Sequence, residues 1–135
     1  MKKHRVRFTQ IVGGLAKIEG VVESRDSSLH LELAMTESIK GPVKGVLKRS
    51  IPYSSLKDVD YSRKLLRSPV LRFTAEGLDT FESIPGAVGF EYAVNPSASK
   101  ADCRSFVTDV RLAIAEATME RFSRQIEDSR SAGSE

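Results

Sequence analysis

Tryptophan is absent from this chain, aromatic residues make up only 7% of it, and cysteine occurs once. With so few aromatics, a core has to be filled by Leu, Ile, Val and Phe. The single cysteine, Cys103, excludes an intramolecular disulfide framework and fits a reducing compartment. The two histidines, His4 and His30, join no CxxC or HxxxH spacing, so the ligand sets of structural metal sites are missing and no cofactor is expected. The glycines form neither a P-loop nor a GxGxxG, which removes the common nucleotide cradles. No apolar run approaches the roughly 20 residues of a membrane helix, and the opening MKKHRVRFTQIVGG lacks the apolar stretch of a signal peptide. These absences set the expectation of a soluble, cytoplasmic protein.

What is present is one domain's worth of chain: 135 residues, 40% hydrophobic. A chain of this size buries roughly two-thirds of its unfolded surface without disulfides or metal. Net charge is only +3, but its distribution is uneven. Residues 1–39 hold 6 Lys or Arg against 5 acids, residues 40–72 hold 9 against 2, and residues 73–135 hold 6 against 11. A basic middle steers an anionic partner, or faces the acidic remainder of the same molecule.

From Leu15, the residues Ala16, Ile18, Gly20 and Val22 alternate with Lys17, Glu19 and Glu23, the period of a half-buried strand, with Gly20 as a candidate bulge. The turn RDSS leads to LHLELAMT (29–36), with Leu29, Leu31, Leu33 and Met35 inward. VKGVLKRSI (43–51) forms the next strand and stops at Pro52. In SSLKD, Ser55 precedes Asp58 by three residues, predicting one capped helical turn that sends Leu56 into the core. VDYSRKL (59–65) resumes as a strand with Val59, Tyr61 and Leu65 on one side, and VLRFTA (70–75) follows with Leu71 and Phe73 inward. A short strand around Phe81 and then AVGFEYAV (87–94), with Val88, Phe90, Tyr92 and Val94 on one face, bring the count to about seven antiparallel strands.

The periodicity then changes. Ser99, three residues before Asp102, opens a helix whose stripe of Cys103, Phe106, Val107, Val110, Ala113, Ile114 and Ala117 keeps 3–4 spacing. Met119, Phe122 and Ile126 prolong the stripe past what a small domain can cover, either wrapping back or meeting a second chain. The polar EDSRSAGSE (127–135) reads as a disordered tail. The parse is a basic N-terminal segment (1–14), added strand or free arm, hinged at Gly13 and Gly14; a domain (15–118); and a helix extension with tail (119–135).

Seven short strands followed by one amphipathic helix resembles the pleckstrin-homology-like superfold. The resemblance covers about residues 15–118. IPYSSLKDV followed by LLRSPVLRF is similar to the strand-turn-strand centre of small bacterial domains of that kind with unassigned function. It implies an open-ended barrel of two near-orthogonal sheets, capped at one opening by the helix. The helix lacks the Trp usual in signalling members, leaving Phe106 or Phe122 to substitute. Of the phosphoinositide-binding signature, Lys17 and Arg25 fall in the right region, but Glu23 stands where a middle basic residue belongs and Asp26 follows.

The expected fold class is therefore mainly β with one C-terminal α-helix. The expected function is a non-enzymatic binding or adaptor module. Lys44, Lys48, Arg63, Lys64, Arg67 and Arg72 come from three consecutive strands and their turns, and form a candidate face for an acidic protein segment or an anionic membrane surface. Their alternative role is to keep sheet edges soluble. Nucleic acid is disfavoured, because no aromatics interleave with these cations to stack bases. A peptide adding to a strand edge beside the helix is the expected mode of recognition. Met119, Phe122 and Ile126 are candidate homodimer contacts. A carrier of a small apolar ligand in the open barrel end and, last, a small enzyme are the other readings.

Overall fold

The computed structural model of the chain describes residues 3–12, 16–37 and 43–133, and its period-two segments form β1 (Arg5–Val12), β2 (Ala16–Ser24), β3 (Ser28–Glu37), β4 (Val43–Pro52), β5 (Leu56–Ser62), β6 (Val70–Ala75) and β7 (Glu91–Pro96). One helix, α1 (Lys100–Gly133), follows. The architecture is mainly β, seven antiparallel strands in one open sheet with a single C-terminal helix, as the alternation and the final stripe lead one to expect.

The strand order is β4-β3-β2-β1-β7-β6-β5, so β4 and β5, neighbours in sequence, end on opposite edges of the sheet. Between them the chain makes a 3-10 turn at Tyr53–Ser55. The expected capped turn thus occurs earlier than Ser55 to Asp58 and without a side-chain cap, because Pro52 fixes the entry at φ −60. The Tyr53 side chain is buried and its hydroxyl donates to the Arg25 carbonyl at 2.6 Å. Burial pushes the Tyr53 phenol up to about 12. Leu56 is buried as expected.

Of the two readings of the N-terminal segment, the added strand is the one found, β1 pairing with β2 from Arg5↔Glu23 to Val12↔Ala16 and with β7 at Phe8 and Thr9. Three expectations need correction. Around Phe81 the chain forms turns instead of a strand; the side chain is buried all the same and packs 5.9 Å from the Tyr92 ring. The last strand starts at Glu91, after a tight turn at Gly89 and Phe90 in which Val88 and Glu91 exchange backbone hydrogen bonds, so Val88 and Phe90 face solvent. Residues 127–133 continue α1, because Glu127 and Arg130 are good helix formers and the helix is already nucleated upstream. The hinge expected at Gly13 and Gly14 lies outside the described residues.

Inward residues of both sheet halves share one core. Val6, Phe8, Ile18, Val22, Leu31 and Ile51 from the first half meet Val59, Leu71, Phe73, Tyr92 and Val94 from the second. Phe106, Val107, Val110, Ala113 and Ile114 of α1 close it, and Ser99 Oγ accepts from the Asp102 N–H at 3.1 Å, as the capping pattern predicts. Arg49 ties down the segment before β7, donating to the carbonyls of Glu82 (2.6 Å) and Thr80 (3.0 Å).

Candidate anionic-partner site

The strand order separates the six cations of the expected basic face. Lys48, on the outer face of β4, lies across from Glu32 and pairs with it at 3.9 Å. Arg72, exposed on β6, has Glu91 at 3.8 Å. Lys44 belongs to β4, and its side chain lies outside the described residues. Arg63, Lys64 and Arg67 come together on the loop between β5 and β6, and none of the three makes an ion pair among the described residues.

That loop is built to protrude. β5 ends at Ser62, three residues short of its expected end, and residues 63–68 are all exposed. The Arg67 N–H donates to the Lys64 carbonyl at 3.1 Å, closing a four-residue turn with Leu65 and Leu66 at its tip. Leu66 has φ 61, in the left-handed region where a turn ordinarily places Gly or Asn. Leu65 is 91% exposed and Leu66 98%. At the loop's far end the Asn95 side-chain amide donates to the Pro69 carbonyl at 2.9 Å, fastening its return to β7. Leu65, expected inward on β5, is thus at the surface. The signal lay in RKLLRSP itself: two adjacent leucines violate period two, and cations bracket them.

The strand edge beside the helix is partly occupied. Arg111 of α1 donates to the Val59 carbonyl at 2.9 Å and to Asp58 at 3.0 Å and Asp60 at 3.3 Å, so its guanidinium takes a main-chain acceptor that an added strand would use. Farther along, α1 leaves an apolar seam in solvent. Met119 is 70% exposed, Phe122 57% and Ile126 54%, and the exposed Leu112 extends the same seam one heptad back.

Other reactive side chains are engaged or enclosed. Cys103 is buried, and desolvation followed by the neighbouring Asp102 carboxylate pushes its thiol up, so the nucleophilic thiolate is suppressed. His4, expected in a free end, is packed edge-on against Phe106 and meets Asp109 Oδ2 through Nε2 at 2.5 Å. His30 meets Glu32 at 3.3 Å on the outer sheet face. Among the described residues no three His, Cys, Asp or Glu side chains gather as metal ligands would, and no helix is long and apolar enough to cross a membrane. The gap left between Val22, Leu29, Leu31, Ile51, Phe73, Phe81 and Tyr92 is about 10 Å³, at the lower limit for a single water. A separate dent of about 280 Å³, lined by Ile18, Leu33, Met35, Leu47 and Pro85, opens to solvent. No known family, curated protein or solved structure matches this chain.

Proposed function

We propose that the chain is a non-enzymatic binding module of pleckstrin-homology-like architecture, whose β5–β6 loop engages an anionic partner. The observation that carries this reading is three exposed cations, Arg63, Lys64 and Arg67, within five residues of one protruding loop and without a neutralising carboxylate among the described residues. Elsewhere on the sheet, Lys48 and Arg72 have acidic neighbours that offset them. The strand order and the helix closing the shared core support the architectural part of the reading. The carrier alternative finds little room, since Phe73, Phe81 and Tyr92 fill the interior.

The test is binding of the full chain to heparin and to phosphatidylserine vesicles at rising ionic strength. Binding at low salt should weaken steeply as salt screens the contact. Triple reversal R63E/K64E/R67E should abolish it, whereas K48E should leave it within about twofold, consistent with the small worth of a paired surface charge. Failure of the native chain to bind either polyanion at low salt removes the reading, as does undiminished binding by the triple variant.

We propose further that α1 joins a second copy of the chain. Leu112, Ala115, Met119, Phe122 and Ile126 recur at alternating spacings of three and four, the a/d seam of a coiled coil, and all five are exposed. Glu116 and Arg130, both exposed, share one flank of that seam. In an antiparallel pair centred near Ser123, each copy's Glu116 faces the other copy's Arg130, and this complementarity favours a second identical chain as the occupant.

A further inference from the structure

We infer that the anionic partner of the β5–β6 loop is a lipid bilayer, into whose interface Leu65 and Leu66 insert while Arg63, Lys64 and Arg67 hold the headgroups. The inference rests on the binding reading above and names its partner.

Three features converge on this tip, and each would be a liability in a loop that only connects two strands. Two adjacent leucines, 91% and 98% exposed, contribute nothing to the core and leave apolar surface in water. Leu66 adopts φ 61, where a β-turn ordinarily takes Gly, a strained conformation for a residue with a side chain. The cations bracketing the leucines are unpaired among the described residues. Departures from local rules that cluster at one place mark functional positions.

The shape and chemistry of the tip select the partner. An acidic protein segment would satisfy the cations but leaves the leucines without a counterpart, since the hollow within the loop, lined by residues 63–69, is wide open to solvent and residues 63–68 are all exposed. A bilayer takes a protruding tip: apolar side chains enter the headgroup and acyl boundary, and basic side chains beside them meet anionic lipid. The turn hydrogen bond from the Arg67 N–H to the Lys64 carbonyl already holds the leucines outermost, so insertion needs little further ordering of the backbone.

The experiment compares the native full chain with L65S/L66S on vesicles of phosphatidylcholine with phosphatidylserine and, in parallel, on heparin. A second probe is L66C carrying an environment-sensitive fluorophore; the enclosed Cys103 thiol stays unlabelled in the folded chain. The double serine variant should lose roughly tenfold or more in vesicle partitioning, the worth of partly burying two leucines. It should keep native retention on heparin, and the fluorophore at position 66 should shift to the blue on vesicles. Native-like vesicle binding by L65S/L66S, or an unshifted fluorophore on vesicles that bind, overturns the inference. So does a native chain that binds heparin but not vesicles; that outcome leaves the anionic-partner reading standing and turns it toward an acidic protein. Absence of binding to both probes removes the two together.

Discussion

Phe8 sits in the core only because the residue facing it on β2 has no side chain. Gly20 pairs with Phe8 on one side and Leu33 on the other, without a register shift, so it is not the bulge that a glycine within a strand suggests. A Cβ built there would overlap the Phe8 ring and stand 2.7 Å from Leu33 Cδ2. G20A should therefore cost about 1–3 kcal/mol by overpacking, read as a lower urea midpoint at unchanged m-value, and F8L in the same chain should recover part of that loss. A native midpoint for G20A would mean that the ring is not confined. The glycine was visible in the sequence but its purpose was not, because the opposing ring lies in a segment that carried no clear strand signal. Leu65 was hidden for a related reason: strand periodicity can be extended over any alternating apolar residue, and only the neighbouring Leu66 shows that the alternation has already ended.

α1 was the most legible element. Its start at Ser99 and its buried stripe from Cys103 to Ile114 follow from spacing and capping chemistry, which act over a few residues and need no knowledge of the sheet. Its far end was not legible, since the polarity of residues 127–133 suits both a tail and the solvated last turns of a helix. At 34 residues the helix is about 50 Å long, longer than the sheet it packs on, and from Met119 to Arg130 every residue is exposed. The proposed pairing makes this overhang useful. In sedimentation the full chain should run as a concentration-dependent dimer, whereas F122E and a chain ending at Ala117 should run as monomers. A full chain that stays monomeric at the highest soluble concentration would dismiss the pairing. A dimer would also give one particle two β5–β6 loops, and simultaneous engagement would raise avidity for a surface without any new contact.

Across the whole molecule, β1 is the strand that joins the two halves of the sheet. It pairs with β2 along its entire length and with β7 at Phe8 and Thr9, and just before it the His4 backbone N–H donates to Ser24 Oγ at 2.9 Å while the ring meets Asp109 of α1. The sequence suggested the right number of strands but with a different membership, Phe81 in place of β1, because burial of an isolated aromatic looks the same in a turn as in a strand. Residues 5–12, which the sequence alone leaves as either an added strand or a free arm, are therefore integral to the sheet. A chain beginning at Leu15 should lose the cooperative thermal transition and the near-ultraviolet dichroism of packed tyrosines, and an intact transition would show that the sheet halves hold without β1. The β1–β7 join also sets an order of events during synthesis. The first four strands can zip up as successive hairpins while the chain emerges, but Phe8 must wait until Pro96 has left the ribosome before its second neighbour exists. Through that interval the nascent sheet keeps a bare edge and a half-covered apolar face, making it a natural client for chaperones.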